Sequence, residues 1–566
     1  MFDLVIRGGK VVDGTGGAPR SADVAITGDR IVEVGMVDGA ARRVIHADGA
    51  VVAPGFVDVH THYDGQATWD TQLAPSSTLG ITTVVMGNCG VGFAPVHDHD
   101  RDRLIELMEG VEDIPGAALH EGLPWTWTSF GDYLDHLGGR RYDIDCGAQV
   151  PHGAIRLHAM GERGANREPA TGDEIVTMAR LAREAIEAGA LGFTTSRTLN
   201  HRTSKGEPTP TLTAAREELL GIAAEIGKSG KGVLQVVSDF PDYEEEWETF
   251  RMMSGVSGRP MSISLAAAGI RPADEGRAKG YRHSLAQLER GAADGLTMRA
   301  QVAARAIGVV LGLQASLNPL MRCPSYQALG ALPHDDLVRA LRQPELRATL
   351  IAEMADHALR IRGFGSVFEL ASPTNYEPEP ADSVQARAAA AGVSVEAFVY
   401  DLLLELNGTN LLYAPVLNYG DGNLDAVREM LAHPLCIPGL ADGGAHVGTI
   451  CDGSFATTLL THWARDRTRG PRFPLEFVVA AQSRRTAEAL GLNDRGVLAP
   501  GYLADVNVID FEGLTLHAPE MHFDLPAGGK RLLQRADGYV HTIKSGTEIY
   551  SNGQATGALP GRLVRG

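Results

Sequence analysis

The 566-residue chain carries 70 acidic and 51 basic residues, which gives a formal net charge of −19. This charge argues against a nucleic-acid partner, because phosphates would be repelled and no cluster of basic residues offsets the balance. With 44% hydrophobic and 21% charged residues, the composition is typical of a folded globular protein.

The sequence pattern contains neither a signal peptide nor a membrane span. The N-terminus lacks a basic segment followed by a long apolar run, and no window approaches the ~18 uninterrupted apolar residues of a membrane helix. The cysteines are scattered and odd in number, namely Cys89, Cys146, Cys323, Cys436 and Cys451. We therefore expect a cytoplasmic protein with reduced thiols. Its expected partner is a small-molecule substrate, and whether it forms a homo-oligomer is left open.

Both ends of the chain have the pattern of short strands joined by tight turns. The N-terminal segments are Leu4–Ile6, Val11–Val12, Asp23–Ile26, Arg30–Val34 and Ala50–Val52, and the C-terminal segments are Ala504–Asp510, Val540–Lys544 and Glu548–Tyr550. A small β unit with exposed edges needs a partner. We predict one small β-sandwich domain built from residues 1–52 and 491–566.

Between the two ends, apolar runs alternate with helical patterns such as Thr177–Ala188 and Ala214–Ile226. The predicted buried strands are Phe56–Val59, Ile81–Met86, Cys146–Val150, Ala190–Thr195, Gly232–Val237, Met261–Leu265, Leu411–Val416 and Leu435–Leu440. Eight strands with helical connections favour a TIM-like (β/α)8 barrel of the α/β class over residues 53–490.

One stretch, residues 270 to 400, is too long for a single strand and helix of such a barrel. Segments within it, such as Glu345–Arg362, have a helical pattern. We predict a helical insertion over the mouth of the barrel, where it would serve as a lid.

The segment His60-Thr-His62 follows the first predicted strand directly. In a β/α barrel the reactive groups lie at the carboxyl ends of the strands. Side chains two residues apart share one face of a strand, so both imidazoles point into the mouth while Thr61 points away. Two neutral imidazoles at this spacing are good ligands for zinc or a similar divalent ion.

Several motifs along the chain resemble those of the amidohydrolase superfamily and, within it, the N-acyl-D-amino-acid deacylase (D-aminoacylase) family. They are Pro54–His62, Gly87–Pro95, Gly153–Arg156, Met160–Gly161, the segment around Asp442, Ala499–Asp505 and Gly546–Arg562. The similarity spans nearly the whole chain and is more specific for the family than for the substrate.

The resemblance implies two further metal ligands. Asp442, which follows the last predicted strand, would bind the ion and act as general base toward the attacking water. Cys89, after the second strand, matches a cysteine that the family uses as a zinc ligand. The alternatives are a helix-capping aspartate and a small buried cysteine.

The sequence departs from the family where two further zinc histidines are expected. It has Gln235–Asp239 at the first position and Ser262–Ala266 at the second, without histidine in either segment. A family lysine associated with the substrate carboxylate is also missing. The site is therefore expected to hold one ion, or two with a different set of ligands, and zinc is the favoured metal.

Other polar residues near predicted strand ends are candidates for substrate contacts. The loop after the fourth strand contains Arg197, His201 and Arg202, and an arginine there could bind a carboxylate through two hydrogen bonds. His201 could instead be a ligand. His446 lies four residues after Asp442, and His152 ends the third strand. Each could equally be an ordinary loop or core residue.

Three functions are consistent with these features. The leading hypothesis is a metal-dependent hydrolase of a linear amide bond, with an N-acyl amino acid or a related N-acyl compound as substrate. The second is hydrolysis of a cyclic amide, an ester or an activated C–C bond on the same scaffold, since the fold does not determine the reaction. The third is a metal-depleted interaction protein without catalytic activity.

Overall fold

The structure is a computed structural model and describes residues 1–267, 280–359, 361 and 363–566. Its strands, in chain order, are β1 (Phe2–Val11), β2 (Arg20–Thr27), β3 (Arg30–Gly35), β4 (Ala41–His46), β5 (Val51–Pro54), β6 (Phe56–Asp58), β7 (Ile81–Met86), β8 (Asp145–Ala148), β9 (Val150–Pro151), β10 (Gly192–Arg197), β11 (Val233–Ser238), β12 (Met261–Leu265), β13 (Met298–Val302), β14 (Ile307–Leu311), β15 (Phe368–Glu369), β16 (Leu412–Leu417), β17 (Cys436–Pro438), β18 (Val506–Ile509), β19 (Thr515–Leu516), β20 (Glu520–Leu525), β21 (Gly529–Leu533), β22 (Ala536–Asp537), β23 (Tyr539–Lys544), β24 (Thr547–Ser551) and β25 (Gln554–Ala555).

The helices of the described residues are α1 (Gln66–Trp69), α2 (Arg101–Glu112), α3 (Gly116–Gly122), α4 (Phe130–Gly138), α5 (His152–Met160), α6 (Glu162–Ala165), α7 (Gly172–Glu187), α8 (Arg216–Gly227), α9 (Tyr243–Ser257), α10 (Gly280–Ala293), α11 (Pro324–Gln327), α12 (His334–Leu341), α13 (Pro344–His357), α14 (Val384–Ala391), α15 (Val395–Leu404), α16 (Asp425–Ala432), α17 (Phe455–Thr458), α18 (Leu475–Ala480) and α19 (Thr486–Ala489). Two π-helical segments, Leu459–Asp466 and Ala481–Arg485, continue α17 and α18. None of these helices is both long and apolar enough to cross a bilayer.

Strands from both ends of the chain share one sheet. Its order is β25-β24-β23-β18-β5-β1-β2-β3, with β4 paired to β1. The two ends meet where β5 pairs antiparallel with β18, Val52 opposite Val508. Apolar side chains of both ends, among them Ile6, Val506 and Ile543, form a separate buried cluster. The common terminal sheet was predicted from the sequence, while the domain boundaries and the two-layer sandwich stay predictions.

The central strands are parallel and form a three-stranded sheet, β6-β7-β8, and a six-stranded sheet, β9-β10-β11-β12-β13-β17. Only Gln149 separates β8 from β9, so one extended segment leads from one sheet into the other. Parallel strands with helices between them are typical of the predicted α/β class, while closure of the two sheets into one barrel stays a prediction. Their carboxyl ends all lie on the same side, because the strands are parallel.

The prediction for one central strand was wrong. Leu411–Val416 was expected among the buried parallel strands, but β16 pairs antiparallel with β14 and β15 in a sheet of its own. The parallel sheet contains β13 instead, between β12 and β17. Arg299 and Gln301 interrupt the apolar run of β13, whereas β16 is apolar because it is buried on both faces, with Leu412 and Ala414 in the core of the insertion and Tyr413 in the main core.

The position of the insertion changes with this strand. It was predicted at about 270 to 400, but α10 and β13 belong to the parallel repeat, and α16 packs against β13 and β17. Residues 303–424 therefore form the insertion, with helices α11 to α15 and the sheet of β14 to β16. The helix predicted at Glu345–Arg362 is α13, but it ends at His357, and Arg360 and Arg362 lie outside the described residues. The role of the insertion as a lid stays a prediction.

A buried ion-pair network ties α5 to α8 below the carboxyl ends of the strands. Glu218 accepts hydrogen bonds from His152 and Arg156, each at 2.9 Å from Oε1. Burial disfavours the charge of Glu218, but the hydrogen bonds and charges of His152 and Arg156 outweigh this effect. The pKa of Glu218 is therefore lowered to about 2. The ionised carboxylate thus stabilises the folded state.

The network predicts a specific loss of stability in acid. The ordinary pKa of 4.5 for Glu218 is higher than its folded-state value of about 2, so its contribution is complete above pH 4.5 and is lost as the pH falls toward 2. The group should contribute on the order of 3 kcal/mol to the free energy of unfolding. In urea unfolding between about pH 5 and pH 3, the free energy of unfolding should fall less steeply for Glu218→Gln than for the wild type.

The matched control is Glu217→Gln, one residue earlier on α8, where the side chain is exposed. It should follow the wild-type pH dependence. Equal slopes for Glu218→Gln and the wild type would contradict the assignment.

Candidate metal centre

The two histidines after β6 lie side by side in the protein interior. His60 and His62 are 0% and 1% exposed, and their ring centroids are 5.5 Å apart. Thr61 points away and donates its hydroxyl to the carbonyl of Val85. The alternation expected of an extended segment is therefore present, and both imidazoles face the same space.

Donor atoms of four residues converge on this space. Nε2 of His60 lies 3.3 Å from Sγ of Cys89 and 3.3 Å from Oδ1 of Asp442. Nε2 of His62 lies 3.6 Å from the same Asp442 oxygen. Ligand atoms of His60, His62 and Cys89 all lie within 4.8 Å of one another. Two imidazoles, a thiol and a carboxylate form a donor set that suits zinc or another borderline-soft divalent ion.

The other ring nitrogens of the two histidines face acceptors of the protein. Nδ1 of His60 lies 2.7 Å from Oε1 of Gln301, and Nδ1 of His62 lies 3.2 Å from Oε1 of Glu112. An imidazole that keeps its proton on Nδ1 presents a lone pair on Nε2. Both lone pairs then point toward Asp442 and Cys89, which is the orientation that a metal ion requires.

Sequence reasoning missed these two acceptors. Gln301 lies on β13, the strand that was not predicted, and its amide also donates to Ser262 at 3.2 Å. Glu112 is the last residue of α2 and lies far from any strand end in the sequence. A correct assignment of β13 would have pointed to Gln301, whereas nothing in the local sequence distinguishes Glu112.

The segment after β17 is held against the two histidines by backbone hydrogen bonds. The amide of Asp442 donates to the carbonyl of His60 at 3.1 Å, and the amide of His62 donates to the carbonyl of Gly443 at 2.8 Å. A Cβ atom at Gly443 would lie 2.5 Å from Oγ of Ser76. Only glycine allows this close approach.

Three residues of the centre have a strained backbone. Cys89, Asp442 and His446 have φ angles of +55°, +50° and +50°. Side chains other than glycine rarely adopt this region, at a cost of ~1–3 kcal/mol each. Such strain persists only where the surrounding contacts impose it, and here it aims all three side chains at the centre.

The protonation states suit a cation. Burial lowers the pKa of His60 and of His62, which keeps both imidazoles neutral. For Asp442, burial opposes ionisation, but the adjacent His62, His60 and His446 hold its pKa well below the ordinary value. Burial and the charge of Glu112 raise the pKa of the Cys89 thiol, so a thiolate there requires a compensating cation.

A buried oxygen at the centre has no protein partner. Oδ1 of Asp442, which faces both histidines, accepts no hydrogen bond from any described residue. A buried carboxylate oxygen left in this way costs free energy unless a cation or a proton compensates it. The residues present therefore fit a divalent ion held by His60, His62, Cys89 and Asp442.

Two of the predicted substrate-contact residues lie beside these four ligands. Nε2 of His446 is 3.9 Å from Oδ2 of Asp442. Nδ1 of His201 is 2.8 Å from the hydroxyl of Ser196. Burial, together with the neighbouring His446 and His62, lowers the pKa of His201 to about 3, so the imidazole is neutral.

The other three predicted contacts have different surroundings. Arg197 makes three hydrogen bonds to Glu246 and one to the carbonyl of Ala214, so most of its guanidinium donors are already paired. His152 is buried between Thr195 and Glu218. Both side chains are thus paired within the protein, as polar groups in the interior usually are, and their contact with a substrate stays a prediction. Arg202 is exposed and donates to the carbonyl of Gly206, and its role stays a prediction.

The positions of the two missing histidines are occupied by amide and hydroxyl groups. Gln235 is buried and donates to Ser264 at 3.3 Å. Ser262 accepts from Gln301, which in turn contacts His60. Neither group is a typical zinc ligand, so these strands supply a polar support for the first ligand pair rather than a second set of imidazoles.

Known proteins of similar sequence include several deacylases. D-aminoacylase of Alcaligenes xylosoxydans xylosoxydans is 35% identical over 195 residues, and N-acyl-D-glutamate deacylase of the same organism is 38% identical over 202 residues. Each match covers 34% of this chain and 37% of the relative. An uncharacterized protein of Mycobacterium tuberculosis is 25% identical over 98% of this chain and 93% of its own length.

Solved structures give the same result for the fold. A D-aminoacylase structure, described for its binuclear metal centre, is 25% identical and superposes with a TM-score of 0.66 over the full length of both chains. N-acyl-D-glutamate deacylase of Bordetella bronchiseptica, complexed with zinc and a phosphonate inhibitor, is 24% identical with a TM-score of 0.64, also over both full chains.

The family profile agrees with these likenesses and covers far more of the sequence than the individual deacylase alignments do. It matches residues 43–550, which include all the ligands of the candidate centre. The chain therefore belongs to the amidohydrolase family.

Proposed function

We propose that the protein is a metal-dependent hydrolase that cleaves the C–N bond of a linear amide, with Asp442 as general base. The observation that carries the proposal is the orientation of the two histidines. Their Nδ1 atoms face Gln301 and Glu112, so their Nε2 atoms face the carboxylate of Asp442 and the sulfur of Cys89. Family membership and the deacylase relatives support the same reaction class.

A divalent ion, when bound by these ligands, lowers the pKa of water toward ~7 and polarises a carbonyl group. Asp442 is placed to accept the proton of the attacking water, because its carboxylate is ionised and lies against both histidines. The water oxygen then bonds to the carbonyl carbon. Asp442 returns the proton to the amine nitrogen as the C–N bond breaks, which leaves a carboxylic acid and an amine.

His201 and His446 are assigned to the substrate carbonyl and to the base. The hydroxyl of Ser196 fixes the ring of His201 through Nδ1, which leaves Nε2 free to donate a hydrogen bond to a developing oxyanion. His446 lies beside Asp442 and orients its carboxylate. Neither assignment requires a charged imidazole.

The proposed substrate is an N-acyl amino acid or a related N-acyl compound. The names of the relatives support this choice. Two features distinguish the chain from the family that it resembles: the segments Gln235–Asp239 and Ser262–Ala266 contain no histidine, and the lysine associated with the substrate carboxylate is missing. Cyclic amides and esters, which the same water activation would also cleave, are the alternatives to compare.

Metal content tests the centre directly. Purified wild-type protein should hold about one equivalent of a divalent ion, measured by elemental analysis, because one complete set of four donors is present. His60→Ala with His62→Ala should lose it. The matched control is His97→Ala with His99→Ala, a second His-x-His pair whose side chains are exposed. Retention of metal by the His60/His62 variant would reject this centre.

Replacement of the base tests the reaction. Asp442→Asn should remain folded and lose activity by about 10²–10⁴-fold, because an amide cannot take the proton of water. The control Asp421→Asn removes an exposed carboxylate and should keep full activity. Circular dichroism would verify the fold of both variants, and unchanged turnover of Asp442→Asn would remove Asp442 from the mechanism.

A substrate panel tests the specificity. N-acyl D- and L-amino acids, cyclic imides and aryl esters should be compared with added zinc, and an N-acyl amino acid should give the highest kcat/KM. Turnover of a cyclic imide or an ester alone would replace the proposed substrate class. Metal-free protein without turnover of any compound would favour an interaction protein.

A further inference from the structure

Glu112 is a buried carboxylate without an ordinary partner. Its side chain is 1% exposed at the end of α2. Within the part of the chain that the structure describes, neither carboxylate oxygen takes part in a hydrogen bond. Glutamate is almost never fully buried unless it is paired, since an uncompensated charge in the interior is costly.

The carboxylate lies between two imidazoles of the centre. Oε1 is 3.2 Å from Nδ1 of His62, and Oε2 is 3.6 Å from Nε2 of His446. The backbone carbonyl of Glu112 also accepts a hydrogen bond from the amide of His446. The end of α2 is thereby fixed to the segment that carries Asp442.

The two ligand histidines have different supports. His60 faces the neutral amide of Gln301, whose own amide group is held by Ser262. His62 faces a carboxylate that no lysine or arginine neutralises in its described contacts. A carboxylate behind an imidazole holds the proton on Nδ1, fixes the ring and makes Nε2 a stronger donor. The cost of burying it is offset when positive charge lies on the far side of the ring.

We propose that Glu112 is a positioning residue that holds His62 for the metal ion. This inference rests on the proposed function, because it requires an ion at the centre. It assigns to Glu112 no direct contact with substrate. Its role is to raise the affinity of His62 for the ion. It does not stabilise the metal-free protein, which should be no more stable than a metal-free Glu112→Gln variant.

The test compares Glu112→Gln with Glu109→Gln and the wild type. Glu109 lies one turn earlier on α2 and accepts the amide of Gly116, a bond that glutamine can keep. Each metal-free protein would be titrated with Co²⁺, followed by its visible absorption. Thermal unfolding would be measured with and without the ion.

Glu112→Gln should bind Co²⁺ about 10–100-fold more weakly than the wild type, because the support of His62 is weakened. Its metal-free form should unfold at the wild-type temperature or above, because the amide replaces a buried carboxyl group that has no hydrogen bond to lose. The stabilisation gained from the ion should therefore shrink. Glu109→Gln should match the wild type in every measurement.

Two results would overturn the inference. Equal Co²⁺ affinity of Glu112→Gln and the wild type would show that the carboxylate does not support His62. A metal-free Glu112→Gln that is strongly destabilised, with the gain from the ion unchanged, would make Glu112 a structural residue. A wild type that binds no metal would instead reject the proposed function, and this inference with it.

Discussion

The centre depends on the short backbone pairing between the segment after the first parallel strand and the segment after the last. The amides of Asp442 and His62 each donate to the opposite segment, and Gly443 permits the close approach. This pairing places a carboxylate against two imidazoles that are about 400 residues away in the sequence. Backbone hydrogen bonds are directional, so they fix the carboxylate more firmly than side-chain packing alone would.

The electrostatic balance of the centre follows from burial. Burial keeps the imidazoles neutral, while the neighbouring histidines keep Asp442 ionised against the effect of burial. The thiol of Cys89 and the carboxylate of Glu112 both add to the demand for positive charge. A protein interior tolerates such an excess of anionic donors when a cation belongs among them. Relief of this unfavourable burial would contribute to the free energy of metal binding.

Polar side chains near the strand ends fall into two groups, those paired with a buried glutamate and those that lie beside the centre. At the carboxyl ends of the neighbouring strands, Arg197 is hydrogen-bonded to Glu246 and His152 to Glu218. His201 and His446 have no carboxylate pair of this strength and remain directed toward the centre. Residues of the same chemical type at similar sequence positions therefore have different roles, which depend on which helix packs behind each strand.

Most of the parallel strands and the first pair of ligands could be predicted from the sequence. Apolar runs mark buried strands, and His60 and His62 share a face because the side chains of an extended segment alternate. The error at β13 and β16 has a physical reason. β13 is interrupted by Arg299 and Gln301, while β16 is apolar because it is buried between the main core and the core of the insertion. An apolar run reports burial but not the sheet in which a strand is buried.

By itself, the sequence identified His60 and His62 as a candidate ligand pair, since their spacing is local, and the resemblance to a known family added Cys89 and Asp442. It also determined that both ends of the chain form strands, which the terminal sheet joins. Only the tertiary structure decided which groups lie behind the ligands. Gln301 and Glu112 reach the histidines from a strand and a helix that are distant in sequence. Support of this kind depends on packing between elements, which no local pattern encodes.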